Sequence, residues 1–167
     1  MEAKSSPIFS VKPKADTEIE IMRVFEAPRP VVFDALTRCD ILKRWFYGPE
    51  GWSLAVCDID LRVGGEYRYV WRKEKTDTDM GMGGVYREIE APNRIVATEE
   101  FDDPWYEGEA VGTTELTETD GRTTLTITVK YDSQEIRDAV LRSPMEEGLS
   151  TGYDRLANLL AQSEPPA

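Results

Sequence analysis

The chain has 167 residues, of which 40% are hydrophobic and 10% aromatic, as expected of one globular domain. It contains no histidine, which excludes Ser-His-Asp and Cys-His catalytic systems and histidine metal sites. The net charge of −12, from 32 acidic and 20 basic residues, argues against nucleic acid and anionic membranes as partners.

The first 16 residues are polar and lack the apolar core of a signal peptide, and no apolar run is long enough for a membrane span. We therefore expect a flexible tail over 1–16, a single domain over 17–162, a flexible tail over 163–167 and a cytoplasmic location. The two cysteines, Cys39 and Cys57, match no CxxC or zinc spacing. Both are predicted to be reduced, half-buried side chains.

An alternating apolar pattern predicts a first strand over 17–26. Prolines at 28 and 30 are typical of the first turn of a short helix, and Asp40 is a suitable cap for a second one. From Trp52 the periodicity falls to two and predicts six consecutive strands, over 52–61, 66–73, 85–90, 94–101, 110–119 and 123–131. The glycine-rich run 80–84 is expected to be a mobile strand entry. Short turns between consecutive strands, above all the Asp-Gly turn at 120–121, favour an antiparallel meander.

The C-terminal part returns to helical patterns. Residues 132–135 resemble a capping box that begins a helix ending near 142, and Ser143, Pro144 and Glu146 form a better one. The long helix that follows, to about 162, has an apolar face at helical spacing, formed by Met145, Leu149, Tyr153, Leu156 and Leu160. A curved antiparallel sheet cannot cover its own concave face, so we expect it to wrap around this helix. The predicted fold class is α+β, with two short helices after the first strand.

Aromatic residues are the main candidates for a binding site. Tyr67, Tyr69 and Trp71 alternate along one strand and share a face, which fits either a plain aromatic core or a cavity wall. Gly148 and Gly152 lie within the long helix, which fits either close helix–sheet packing or space left for a ligand. The candidate ligand-binding residues are Trp45, Phe46, Tyr67, Tyr69, Trp71, Tyr86, Trp105, Met145, Leu149, Gly152 and Tyr153.

Carboxylates are abundant, but no spacing distinguishes a catalytic pair from a solvated strand face. The pairs considered for acid–base chemistry are Asp58 with Asp60 and Glu88 with Glu99. Asp60 is two residues from Arg62 on one strand face, which favours a surface ion pair. A catalytic carboxylate needs an apolar pocket that raises its pKa, and a sequence does not display one. No catalytic residue, metal ligand or cofactor is therefore assigned.

Several motifs follow one another in a recognisable order: VFEAPRPVVF at 24–33, KRWFYGPEGW at 43–52, DIDLRVGG at 58–65, GVYREI at 84–89 and MEEG at 145–148. Together they resemble the START-like (SRPBCC) superfamily, and within it the AHSA1-like branch, the homologues of the C-terminal domain of the Hsp90 ATPase activator. The resemblance covers roughly 18–160. It implies a helix-grip fold with a deep cavity between the sheet and the terminal helix.

The resemblance implies that a hydrophobic or aromatic small molecule binds in this cavity, without a cofactor. Two alternatives stay open: a histidine-free enzyme of cyclase or hydrolase type that uses a cavity Asp or Glu with Tyr, and an Hsp90-associated interaction module. A binder is expected to have an apolar cavity without a perturbed carboxylate. An enzyme is expected to have a buried Asp or Glu facing Tyr or Arg, and a chaperone partner an exposed apolar patch on the outer face of the sheet.

Overall fold

The computed structural model describes residues 8–104, 106 and 108–162. The strands within these residues are β1 Phe9–Pro13, β2 Glu18–Phe25, β3 Trp52–Ile59, β4 Glu66–Lys73, β5 Thr78–Glu90, β6 Arg94–Phe101, β7 Ala110–Thr119 and β8 Arg122–Lys130. The helices are α1 Arg29–Thr37, α2 Cys39–Leu42, α3 Gln134–Leu141 and α4 Met145–Gln162. Both short helices, α1 and α2, follow the second strand.

The strands form one sheet in the order β1-β2-β8-β7-β6-β5-β4-β3, and every neighbouring pair is antiparallel. β3 to β8 form the predicted meander. The turn between β7 and β8 has positive φ at both Asp120 and Gly121, the geometry of a type I′ hairpin. β2 pairs with β8, which brings the beginning of the domain beside its last strand. The α+β helix-grip fold expected from the sequence is confirmed.

Helix α4 places one side against the sheet and its neighbours. Tyr153 and Leu156 are buried, as the apolar spacing predicts, and the Tyr153 ring lies 5.9 Å from that of Phe25 on β2. Leu160 packs half-buried against the core, and Leu159, which the spacing did not include, is buried. None of the helices in the described part of the chain is long and apolar enough to cross a lipid bilayer.

Two segments expected to be mobile are strands. Residues 9–13 form β1, which pairs with β2, so the prediction of a flexible tail is wrong there. Phe9 and Val11 pack against the core, a two-residue alternation too short to be recognised in the sequence. The run 80–84 lies inside β5, hydrogen-bonded between β4 and β6. A Cβ on Gly84 would collide with the carbonyl oxygen of Thr98, so glycine here permits close strand packing. The tail residues 1–7 and 163–167 lie outside the described residues.

Cys39 and Cys57 form a disulfide that joins α2 to β3. The prediction of two reduced cysteines is therefore wrong. The spacing of the two residues in the sequence carried no signal, because their pairing depends on how α2 packs against β3 in the folded chain.

Reduction of this disulfide is expected to lower the free energy of unfolding by about 3 kcal/mol, because the bond restricts the unfolded chain. The two cysteines are 18 residues apart, and the cost grows only slowly with loop length. Urea denaturation with and without dithiothreitol measures the loss. The double variant Cys39→Ser, Cys57→Ser is the control, and its stability should not respond to the reductant. A wild-type midpoint that does not move under reduction would contradict the expectation.

Candidate functional site

The inward side chains of β4 form a continuous row of rings, which we call the aromatic wall: Tyr67, Tyr69 and Trp71. All three are buried, and the centroids of neighbouring rings are 5.2 and 5.8 Å apart. On the other side of β4, Glu66, Arg68 and Arg72 are exposed, as the alternation predicts, whereas Val70 is buried. Tyr86 of β5 extends the wall, with its ring 5.4 Å from that of Tyr67.

The segment after α2 covers one end of the aromatic wall. The Phe46 ring stands edge-on to Tyr69 and Trp71, with centroid distances of 5.3 Å to each. The indole N–H of Trp71 donates a hydrogen bond of 3.0 Å to the Phe46 carbonyl oxygen, and that of Trp45 donates one of 3.0 Å to the Ala35 carbonyl oxygen. These bonds to the backbone fix both indoles, so this end of the site is rigid.

Helix α4 contributes Tyr153, whose ring lies 6.1 Å from that of Trp45. Gly152 was expected to face the sheet, but within 4 Å a Cβ on it would meet Trp45, in the segment after α2, and no strand residue. A Cβ built on it lies 3.9 Å from the Trp45 ring, at ordinary contact distance. Two further candidates on α4 are half-buried: Met145 and Leu149. The last candidate, Trp105, lies outside the described residues.

Replacing Gly152 with alanine is expected to stabilise the protein by about 1 kcal/mol, because alanine has the higher helix propensity. The added methyl group fits against Trp45 without displacing it. Gly148→Ala is the matched control, since Gly148 is exposed on the same helix with no atom within 4 Å of the new Cβ. Urea denaturation should show a gain in both variants. A loss confined to Gly152→Ala would mean that Gly152 marks a tight contact.

Beside the aromatic wall, the inward faces of β6 and β7 carry small residues. Ala97 pairs with Gly112, and Glu99 pairs with Ala110. Ala97 is only half-buried although it points inward with the core residue Ile95. Small side chains on a concave face leave volume between the sheet and α4, and the accessible surface of Ala97 is consistent with such a space.

Three tyrosine hydroxyls border this space: those of Tyr69, Tyr131 and Tyr153. Each residue is at most 8% exposed, and no described group hydrogen-bonds its hydroxyl. Among the described residues, every side-chain oxygen that is sealed from water has a hydrogen-bond partner. The three hydroxyls therefore touch space that admits water, and we call this space the interior cavity.

Glu99 lies in the interior cavity. Its side chain is half-buried, as expected where a residue borders an internal space. Its Oε2 atom is 3.1 Å from the position a Cβ would take on Gly112, so the glycine leaves room for the carboxylate. Among the described residues, none donates a hydrogen bond to Glu99 or forms an ion pair with it. Burial raises the pKa of Glu99 to about 7.

Tyrosines from several elements lie around this carboxyl group. Burial, and to a lesser extent the charge of Glu99, raises the pKa of five of them: Tyr67, Tyr69, Tyr106, Tyr131 and Tyr153. They come from β4, the β6–β7 connection, the end of β8 and α4. Their hydroxyls stay neutral at physiological pH and present dipoles and ring surfaces to the interior cavity.

The carboxylate pairs considered from the sequence do not form. Glu88 lies on the outer surface and bonds Arg94 at 3.2 Å, away from Glu99. Asp60 forms the expected surface ion pair with Arg62, at 2.9 Å. The sequence did contain a signal for Glu99, because the alternation along β6 places this residue on the same face as the strand's inward residues. No such signal marked Tyr131, which stands just after a strand.

A family model described as Activator of Hsp90 ATPase homolog 1-like protein matches residues 26–161. The crystal structure of a Rhodobacter sphaeroides protein is similar, with 30% identity and a TM-score of 0.86 over 93% of this chain and 100% of that one. A Nitrosomonas europaea protein matches with 25% identity and a TM-score of 0.76 over 90% and 97%. An HSP90 activator from Plasmodium falciparum shares the fold, with 24% identity and a TM-score of 0.53 over 68% and 72%. Comparison with curated proteins finds no match.

Proposed function

We propose that this chain, which belongs to the family of Activator of Hsp90 ATPase homolog 1-like proteins, binds a hydrophobic or aromatic small molecule in the interior cavity. The family and the fold support a ligand-binding or co-chaperone-like domain. The observation that carries the proposal is the set of unbonded tyrosine hydroxyls on a ring-lined interior. Rings supply apolar contact area and a few hydroxyls orient the ligand, which is the usual composition of a small-molecule site.

An acid–base enzyme is the second candidate. Glu99 is a buried carboxyl group among tyrosines, the feature expected of an enzyme rather than of a simple binder, and its pKa of about 7 suits a general base. Two observations favour binding. The surrounding tyrosines are weaker acids than usual, and no described residue forms the hydrogen bond that orients a catalytic base.

The third class, an Hsp90-associated module, has less support. The outer face of the sheet carries ion pairs, formed by Arg68 with Asp102, Arg72 with Asp79 and Arg87 with Glu109. An ion-paired face differs from the exposed apolar patch expected of a chaperone partner. The likeness to the Plasmodium falciparum HSP90 activator, at 24% identity, supports the fold alone.

A cytoplasmic location stays a prediction. The Cys39–Cys57 disulfide weighs against it, because disulfides persist mainly in oxidising compartments. Alkylation of thiols in freshly lysed cells tests the location: a cytoplasmic chain should have both cysteines labelled before any reductant is added.

Titration with the uncharged fluorophore N-phenyl-naphthylamine tests the binding function. We expect saturable binding and quenching of tryptophan emission, because Trp45 and Trp71 lie beside the interior cavity. Ala97→Leu should weaken the binding, since it fills space on the inward side of β6. Glu100→Leu is the matched control, because it adds the same side chain on the exposed side of the same strand.

A folded Ala97→Leu protein that binds the probe as well as the wild type would place the site elsewhere. The absence of saturable binding to the wild type would contradict the proposal itself. Circular dichroism on each variant separates loss of binding from loss of fold.

A further inference from the structure

The interior cavity contains an acidic group without a counter-charge. A buried carboxylate is costly unless a cation or several hydrogen bonds accompany it. The described residues supply neither to Glu99, which shares the inward face of β6 with the half-buried Ala97 at the interior cavity. Space next to an unpaired charge is the arrangement expected where the missing partner belongs to a ligand.

The protein's own buried cations are already bound elsewhere. Arg23 forms an ion pair of 2.9 Å with Asp154 of α4. Arg137 bonds Asp138 at 2.8 Å and donates to the carbonyl oxygens of Ala15 and Glu18 at 2.6 and 3.2 Å. These are the buried arginines among the described residues, and neither is available to neutralise Glu99.

Tyrosine side chains from two elements lie near enough to the same carboxyl group for its charge to act on their hydroxyls. The electrostatic influence of Glu99 reaches Tyr67 and Tyr69 of the aromatic wall and Tyr153 of α4. The negative face of an aromatic ring attracts a cation, and the attraction strengthens where water is excluded. Rings together with one carboxylate are the groups that recognise an organic ammonium ion, whose charged end needs a counter-ion and whose hydrocarbon part needs apolar surface.

We propose that the interior cavity takes a hydrophobic amine, with Glu99 as the counter-ion of its ammonium group and the surrounding tyrosine rings as its apolar and cation–π contacts. This inference rests on the proposed binding function and specifies its ligand class. A carboxylate ligand would place two like charges together, and a neutral ligand would leave the charge of Glu99 without a counter-ion. The net charge of −12 also raises the concentration of cations near the protein.

Calorimetric titration of the full chain with two probes of matched shape tests the inference: naphthylmethylamine, which is a cation, and naphthylmethanol, which is neutral. At about pH 8 the amine is protonated and Glu99 ionised. We expect the wild type to prefer the amine by about 10-fold to 100-fold, the range of a charge-assisted hydrogen bond. Glu99→Gln should weaken binding of the amine and abolish this preference. Glu100→Gln, an exposed carboxylate on the same strand, should keep it.

The outcomes separate the two proposals. Equal affinity of the wild type for amine and alcohol would overturn the amine inference and leave the binding function in place. A Glu99→Gln protein that keeps the preference for the amine would overturn the role of Glu99. If neither probe binds the wild type and N-phenyl-naphthylamine also fails to bind, the binding function fails and the inference with it. The comparison of the two probes on the wild type does not depend on any variant folding.

Discussion

Replacing Leu156 with alanine is expected to lower the free energy of unfolding by about 2–5 kcal/mol, the usual cost of truncating a buried leucine. Leu156 is completely buried on the inward side of α4. Rings held by hydrogen bonds to the backbone, such as that of Trp45, line the same side of the interior and cannot collapse freely into the space. Urea denaturation monitored by circular dichroism measures the loss.

Two further variants, one on α4 and one at its start, calibrate this result. Leu160→Ala should lose less, because Leu160 is only half-buried. Ser143→Ala should lose about 1 kcal/mol, since the Ser143 hydroxyl accepts a bond of 3.3 Å from the Met145 amide at the start of α4. If Leu156→Ala lowered the free energy of unfolding by less than Ser143→Ala does, the assignment of the buried side of α4 would be wrong.

The elements that could be predicted are those whose signal is local. The Asp-Gly turn at 120–121, the alternation of β4 and the apolar spacing of α4 each involve a few neighbouring residues. β1 and the disulfide could not be predicted in this way. Residues 9–13 become a strand only because β2 offers an edge, and Cys39 meets Cys57 only once α2 has packed against β3.

The same distinction applies to the site. Alternation predicted the shared face of Tyr67, Tyr69 and Trp71, because strand geometry alone determines it. It also places Glu99 inward, but the exposed Glu100 and Asp102 next to it look the same in a sequence. What distinguishes Glu99 is the lack of a partner and the space left by Gly112, and both depend on the packing of distant segments.

Glu99→Gln is expected to stabilise the protein by about 3–4 kcal/mol above pH 7 and to have little effect near pH 4.5. Burial raises the pKa of Glu99 from its ordinary value of 4.5 to about 7, so the native state holds this proton more tightly than the unfolded state does. As pH rises through this window, the wild type loses stability, at about 1.4 kcal/mol for each tenfold difference in proton affinity. Glutamine has a similar shape and no charge, so the variant does not share this loss.

Denaturation of wild type and variant across this pH range tests the expectation through the difference between the two curves. The repulsion within an acidic protein also changes with pH, but it is nearly common to both proteins and largely cancels. Glu100→Gln is the matched control: it removes an exposed carboxylate from the same strand, so its curve should run parallel to that of the wild type. If the stability curve of Glu99→Gln also runs parallel to that of the wild type, water or a hydrogen-bond partner already satisfies the Glu99 carboxylate. The interior cavity would then have no unpaired charge to offer an amine.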